Sequence, residues 1–407
     1  MPETASLGRW LSIIGIGEDG IAGLPPLARE LVEQAELVFG GQRHLNLAAP
    51  ILRGAAQPWP SPFDVSPVLA ARGRRVAVLA SGDPFLHGVG SVLLRHVVVE
   101  EVLSLPAPSA FSLAASRLGW ALQDVVTLSL HGRPVELIRS HLHPGTRLLV
   151  LTSDAAGPGD IAGLLRREGF GKSRVALLEA LGGPREGIRR FIAEEGAPDR
   201  PDPLNLLAIE VAASPGARIL PFAPGLPDDW FEHDGQLTKR AVRAVTLSAL
   251  APRRGALLWD VGAGAGSIGI EWMLADQSLR AVAVESRADR ATRTRRNALA
   301  LGVPGLRVVE GEAPTALEGL PIPDAIFLGG GASDPGVLDA ALAALRPGGR
   351  FVANAVTLET EALLLARRAT LGGEMLRLAV SHAVPVAGMT GWRAAMPVTQ
   401  WVWDKPA

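Results

Sequence analysis

Cysteine is absent from the chain, which excludes disulfides, thiolate metal sites and cysteine nucleophiles. The eight histidines do not make up for it. His141 and His143 form the one close pair, they precede Pro144-Gly145, and no adjacent carboxylate completes a ligand set, so they read as a polar turn and not as a metal site. Lysine is scarce too: Lys172, Lys239 and Lys405 stand alone, and arginine carries nearly all the positive charge. That suits bidentate carboxylate recognition, but genomic base composition alone accounts for it more simply. Neither sign of charge is in excess, since 40 basic residues against 41 acidic ones leave a net charge of −1. A basic footprint for nucleic acid is therefore lacking. No apolar run approaches the roughly 18 residues that a membrane helix needs, and the N-terminus has no basic segment followed by a long apolar stretch. These absences predict a soluble, cytoplasmic protein without a metal, a membrane or a nucleic-acid partner.

What is present is length and apolar content. At 407 residues, 48% of them apolar, the chain has material for two domains with full cores. The first half alternates strand and helix signals. Strands are expected at Leu11–Ile14, Arg75–Ala80, Thr146–Leu151, Val175–Glu179 and Asn205–Val211, with helices at about Pro25–Ala35, Gly88–Val97 and Pro108–Gly119. Between Ala213 and Asp229 the periodicity fades into Ser214-Pro215-Gly216, Pro221, Pro224-Gly225 and Pro227, a linker composition. A helix from Lys239 to Leu250 then opens a second alternation that ends at Thr399–Trp403. The expectation is an α/β protein with mostly parallel strands. Its domains are placed at 1–213 and 229–407 with a linker at 214–228, and no internal repeat is visible.

The most informative segment is Leu257-Leu258-Trp259-Asp260-Val261-Gly262-Ala263-Gly264-Ala265-Gly266-Ser267. An apolar strand ends on an acid and enters three alternate glycines, which let backbone approach a ligand, while the helix that follows aims its positive end at it. Gly264-x-Gly266-x-x-Gly269 also satisfies the dinucleotide fingerprint, so the spacing leaves a nicotinamide cofactor open. Asp260 favours S-adenosylmethionine, because a carboxylate beside the loop repels a pyrophosphate and suits a sulfonium with an amino-acid tail. Glu285, ending the run Ala281-Val282-Ala283-Val284, is placed to accept both ribose hydroxyls. Glu310-Gly311-Glu312-Ala313-Pro314 follows a third strand and is placed to cover the adenine. The expected cofactor set is Gly262, Ala263, Gly264, Ala265, Gly266, Glu285 and Ala313.

The second half also carries Gly235-Gln236-Leu237-Thr238-Lys239-Arg240, Ile326-Phe327-Leu328-Gly329-Gly330-Gly331, Leu345-Arg346-Pro347-Gly348-Gly349-Arg350 and Val352-Ala353-Asn354-Ala355-Val356-Thr357. In this order the motifs resemble the class I methyltransferases of the cobalamin pathway that methylate and decarboxylate a precorrin. That resemblance implies a Rossmann-like fold and adds Thr238 to the cofactor set. The first half resembles the tetrapyrrole methylases, through Gly15-Ile16-Gly17, Gly82-Asp83-Pro84, Pro108-Ser109 and Glu179-x-Leu181-Gly182. It implies a two-lobed fold that grips the same cofactor, with Gly15, Gly17, Asp83 and Ser109 as the matching residues. Ala110 and Glu18-Asp19 depart from that family's usual second serine and first-loop proline.

Both resemblances on one chain are similar to the fused, decarboxylating corrin-pathway methyltransferases. They imply S-adenosylmethionine-dependent methylation of precorrin-6Y at carbon 5 by the first half and at carbon 15 by the second, with loss of carbon dioxide from an acetate side chain, giving precorrin-8X. They also imply a homo-oligomer assembled through the C-terminal domain. Such chemistry asks for alignment and water exclusion and needs no protein nucleophile, so no catalytic residue is singled out. The substrate's carboxylates call for cations, and Arg43, Lys239 and Arg393 are candidates. A methyltransferase for another small molecule or for RNA, a nicotinamide oxidoreductase and a non-catalytic tetrapyrrole carrier are the alternatives.

Overall fold

Leu11-Ser12-Ile13-Ile14-Gly15-Ile16 is apolar on both faces of a strand, and as β1 (Leu11–Ile16) it is covered on both. Alternation along it sends Leu11 and Ile13 into one core cluster and Ile14 and Ile16 into the other. β1 joins β2 (Leu37–Gly40), β3 (Ala55–Pro58), β4 (Val76–Ser81) and β5 (Val102–Leu105) in an all-parallel sheet of order β3-β2-β4-β1-β5. Helices α1 (Pro26–Gln34) and α2 (Gln42–Ala48) bring Ala28, Val32, Leu45 and Ala48 onto Ile14, Val38 and Leu79. The structure is a computed structural model that describes residues 8–407, so the first seven residues of the expected opening domain lie outside the described residues.

Helix α3 (Ala110–Leu118) is capped by the Ser109 hydroxyl, ends on Gly119 in the left-handed region, and leads to a second sheet. That sheet holds β6 (Val125–Ser129), β7 (Arg147–Leu151), β8 (Arg174–Glu179), β9 (Gly187–Ile192) and β10 (Asn205–Glu210) in the order β6-β7-β10-β8-β9. The expectation of mostly parallel strands holds in the first sheet but not in this one, where only β6 and β7 run parallel. The segment between β8 and β9 is too short for a crossover, so they pair as a hairpin. Helix α4 (Gly157–Arg167) connects β7 to β8. A second correction concerns Gly88–Val97, where only Gly90–Leu93 is α-helical. Two glycines open the stretch, His87 sits at φ 56°, and Val97-Val98-Val99 is β-branched, all of which oppose a longer helix.

These two sheets make one compact unit, the described residues up to Val135 with His141–Arg218. The other is Glu136–Ser140 with Ile219–Ala407. Of residues 214–228, expected as linker, 214–227 hold no helix or strand and Asp228 begins a short 3-10 turn. Their later part nevertheless belongs to the second core, since Leu220 and Leu226 are buried in it.

In the second unit α5 (Arg240–Leu250) precedes β11 (Leu257–Val261), α6 (Ser267–Ala275), β12 (Arg280–Glu285), α7 (Ala288–Ala300) and β13 (Arg307–Glu310). Then follow β14 (Ala325–Leu328), α8 (Val337–Ala344), β15 (Arg350–Ala355), α9 (Leu358–Leu371), β16 (Glu374–Leu378), the ribbon strands β17 (Ser381–Val386) and β18 (Met389–Ala394), and β19 (Val398–Asp404). The large sheet runs β13-β12-β11-β14-β15-β19-β16, with β19 antiparallel to both neighbours. Strand order reverses between β11 and β14, which opens a crevice at their carboxyl ends. Among the described residues no helix is long and apolar enough to cross a membrane.

Candidate active site

The glycine loop leaves β11 at that crevice. Gly262, Gly264 and Gly266 have φ of 73°, 59° and 76°, a region that side chains rarely adopt. A Cβ on Gly262 would lie 3.0 Å from the Gly330 backbone beyond β14, and one on Gly266 would lie 2.5 Å from Thr294. The turn is fixed from below by its own amides: Gly262 and Ala263 donate N–H to Val284 O at 2.9 and 3.1 Å, and Thr294 Oγ1 donates to Gly264 O at 2.9 Å. Ala265 is buried beneath it. Glu285, at the end of β12, accepts from Gly264 N at 2.8 Å and from Arg287 N at 3.0 Å. In register its neighbour on β13 is Glu310, which leads to the half-buried Ala313. Gln236 O lies 3.3 Å from where a Cβ on Gly264 would stand, so the Gln236–Thr238 segment rests against the loop. The structure thus brings the loop, Glu285 and Ala313 to three adjacent strand ends, with the segment that carries Thr238 against the loop at Gln236.

Asp260 departs from expectation. Its carboxylate does not face the crevice: it is 1% exposed and accepts from Gly269 N at 2.9 Å, beneath the first turn of α6. Burial, together with the nearby Glu285 charge, pushes its pKa up to about 7 from 3.8. It works by holding α6 to β11, so repulsion of a pyrophosphate is not what it contributes. The folded pKa lies above the unfolded one, so this group's stability is present at low pH and is lost as pH rises from about 4 through about 7. Asp260→Asn keeps an acceptor for Gly269 N and cannot ionise. Relative to the parent it is expected to gain on the order of 2 kcal/mol between about pH 5 and about pH 8. Thermal melts at both pH values check this; a melting difference that does not change with pH would contradict it.

In the first unit the expected residues meet at the carboxyl edge of the parallel sheet. A Cβ on Gly15 would lie 1.9 Å from Gly82 O and 2.5 Å from Ala107 N, and one on Gly82 would lie 2.9 Å from Ser109 Cα. Only glycines allow β1, the turn after β4 and the Pro108-Ser109 element to touch in this way. Asp83 Oδ1 accepts from Phe85 N at 2.8 Å and closes its own turn, and Ser109 Oγ accepts from Ser112 N at 3.1 Å. Asp83, Ala107, Pro108 and Ser109 line a cleft of about 480 Å3 with Phe111 and Thr127. Gly17 lies in the loop after β1, where a Cβ would stand 2.7 Å from the Asp19 carboxylate.

The three expected substrate cations fare differently. Arg43 is engaged internally: Nη1 binds Glu18, and Nη2 donates to Ser81 Oγ at 2.7 Å and contacts His44 Nε2 at 2.9 Å. Burial and that guanidinium lower the His44 pKa to about 4, so the imidazole is neutral. Glu18, the departure from the usual proline, thus pairs with Arg43 and also with Arg185. Lys239 is the exposed residue that precedes α5, beside the segment on the loop. Arg393 lies exposed on β18, opposite His382, in a two-stranded ribbon separate from the large sheet.

Sequence reasoning missed the groups that hold the second site together. Arg243 is fully buried and Glu271 nearly so, with Nε to Oε1 at 2.6 Å. Thr246, Asn354 and Gln400 form a second polar cluster between α5 and the sheet. A lone glutamate in the apolar helix Ser267-Ile268-Gly269-Ile270-Glu271-Trp272 was the available signal, because a charge there needs a partner.

The tetrapyrrole (corrin/porphyrin) methylases match at residues 11–195, and the precorrin methyltransferase domain matches at residues 229–405. A precorrin-6Y C(5,15)-methyltransferase [decarboxylating] of Sinorhizobium sp is 58% identical over 405 residues, 99% of this chain and 98% of that protein. The chain belongs to this family. Its methyltransferases take their methyl group from S-adenosylmethionine. Two shorter relatives match part of the chain. A cobalt-precorrin-7 C(5)-methyltransferase of Salmonella typhimurium is 30% identical over 44% of this chain and 88% of its own length. A probable cobalt-precorrin-6B C(15)-methyltransferase (decarboxylating) of Pyrobaculum calidifontis is 41% identical over 34% of this chain and 74% of its own length. Family membership closes the nicotinamide alternative that glycine spacing left open.

Proposed function

We propose that each compact unit seats one S-adenosylmethionine and serves one carbon of precorrin-6Y. The first unit methylates carbon 5; the second methylates carbon 15 and decarboxylates an acetate side chain, yielding precorrin-8X for cobalamin synthesis. The observation that carries this reading is the presence of two unrelated strand-end sites on one chain: the Gly15–Gly82–Ser109 cleft and the Gly262–Gly330 crevice. Relatives of about full length name both carbons, and the two shorter ones name one each.

The cofactor fits the second crevice on structural grounds. Two facing glycines leave a slot that a Cβ would fill, Glu285 offers two carboxylate oxygens at the strand end, and α6 presents its N-terminus. When bound, S-adenosylmethionine supplies an electrophilic methyl group on a sulfonium. Thr238, Gly262, Ala263, Gly264, Ala265, Gly266 and Ala313 shape its slot, and Glu285 holds its ribose. In the first unit Gly15, Gly17, Asp83 and Ser109 do the corresponding work.

The chemistry asks little of the protein beyond alignment. An enamine carbon of the macrocycle attacks the methyl group, the C–S bond breaks, and the hydrogen on the methylated carbon leaves as a proton. In decarboxylation the C–C bond to the carboxylate breaks, carbon dioxide departs, its electron pair enters the ring's conjugated iminium, and a proton is taken up. The two crevices orient the ring and exclude water. Lys239, exposed beside the second crevice, is placed to meet a substrate carboxylate, while Arg43, tied to Glu18, orders the edge of the first. The same reading includes a homo-oligomer through the C-terminal part. It is supported by the ribbon, which exposes Val386, Met389 and Trp392, and by α9, which exposes Leu358 and Leu365.

Mass spectrometry of precorrin-6Y incubated with the chain and cofactor tests the reading. Two methyl groups gained and one carbon dioxide lost are expected; a product with two methyl groups and its full set of carboxylates would contradict it.

A further inference from the structure

Residues 225–239 cross the second unit without forming a strand or α-helix, and Glu232 to Gln236 are exposed. An exposed segment of this kind is normally mobile, yet this one is latched at several points. Arg243 on α5 holds both ends. Its Nη2 donates to Leu226 O and its Nη1 to Thr238 O and, at 3.1 Å, to Asp228 Oδ1, while its guanidinium lies 4.8 Å from the Phe231 ring centroid. Its partner Glu271 accepts from Gly225 N at 2.6 Å and from Leu226 N at 2.9 Å. The middle is held by α7. Asn297, 2% exposed, accepts from Glu232 N at 2.8 Å through Oδ1, and its Nδ2 donates at 2.9 Å both to Glu232 O and to Ala265 O.

Asn297 therefore bonds the crossing segment and the glycine loop with one amide. Its neighbours hold only one of the two: Arg296 pairs with the Glu232 side chain at 2.6 Å, Arg290 with Asp234 at 2.8 Å, and Thr294 with the loop. A side chain that joins both fixes the separation between them, close to where Gln236 O lies 3.3 Å from the place a Cβ on Gly264 would take. A carboxylate in its place would keep the acceptor and lose both donors, setting a charge against two carbonyl oxygens.

We propose that Asn297 is a positioning residue for the second cofactor site: it sets the gap between the Glu232–Thr238 segment and the glycine loop before the cofactor arrives. This rests on the reading that S-adenosylmethionine binds at that loop. Preorganisation of this kind acts on binding and not on the chemical step.

The test uses the full chain with precorrin-6Y, following methylation at each carbon as cofactor concentration is varied. Asn297→Ala is expected to raise the KM for S-adenosylmethionine at carbon 15 about 10-fold, to change kcat there less than about 3-fold, and to leave the KM at carbon 5 unaltered. Asn297→Asp, of the same shape, is expected to do the same or worse. Arg296→Ala, which removes a bond to the segment but none to the loop, should leave both KM values unchanged. Hydrogen exchange on the unaltered chain needs no variant: residues 232–238 and 262–266 should gain protection together when S-adenosylmethionine is added. An unchanged KM at carbon 15 in the Asn297 variants, with or without a fall in melting temperature, would overturn the proposal, as would protection of the loop without the segment. Glu285→Ala run in parallel separates the two levels. If it too leaves the KM at carbon 15 unmoved, the cofactor placement is at fault; if it shifts the KM and the Asn297 variants do not, the positioning role alone fails.

Discussion

Gly15→Ala is expected to lower methylation at carbon 5 by at least about 100-fold while leaving methylation and decarboxylation at carbon 15 intact. The added Cβ would sit 1.9 Å from Gly82 O and 2.5 Å from Ala107 N. Both are backbone atoms, so no side chain can swing away, and the turn after β4 and the Ala107-Pro108-Ser109 element must move. Both line the cleft, together with Asp83 and Phe111. A shift of about 1 Å in groups that align a reacting carbon is enough to cost about 100-fold. The product's mass and the rate at each carbon check the expectation. Carbon 5 methylation at the parent rate would show that the cleft of the first unit is not the site.

Glu285→Ala is expected to weaken S-adenosylmethionine binding at the second site by about 100-fold. The carboxylate is 4% exposed, and it accepts backbone N–H groups from Gly264 and Arg287. Its removal leaves those donors without an acceptor and takes away the group placed to hold the ribose. Bonds to a charged acceptor contribute about 1.5–3 kcal/mol each, so the loss of even one or two accounts for this factor. Glu285→Gln keeps one acceptor oxygen and should lose about 10-fold. Calorimetric titration of the full chain reads the result directly: the parent is expected to show two binding events, and the alanine variant one in the same range. Two unchanged events would remove Glu285 from the cofactor site.

Legibility in the sequence followed how much each position restricts residue type. Gly262, Gly264 and Gly266 were legible because positive φ and close backbone approach leave almost no other residue possible. The strand ends at Val261, Glu285 and Glu310 were legible because apolar runs stop there, the first on a glycine turn and the other two on glutamates. Asp260 was misread for the same reason that its strand was easy to find. β11 is buried on both faces, so no exposed side marks which way a residue points. Leu257, Trp259 and Val261 enter one cluster and Leu258 the other, and Asp260 shares the Leu258 side, under α6.

Strand direction in the second sheet was not legible either, since periodicity gives a strand but not its orientation. The remaining misses are pairings across long stretches of chain. Arg43 looked available for substrate because its partner Glu18 is 25 residues away, and a separation of 28 residues hid Arg243 as the partner that the lone Glu271 of an apolar helix required. Asn297 and Glu232 are 65 residues apart. A local pattern can show that a partner is needed, as at Glu271, but not which distant residue supplies it; only the folded chain brings the two together.

If two sites on one chain serve two different carbons, disabling the first must leave the product of the second. Carbon NMR of the product made by Gly15→Ala from precorrin-6Y and methyl-labelled S-adenosylmethionine reads this out. A single labelled methyl, on carbon 15, with the acetate carboxylate gone, is expected. Label on carbon 5, or the loss of both methylations at once in a chain whose second unit still binds the cofactor, would contradict it.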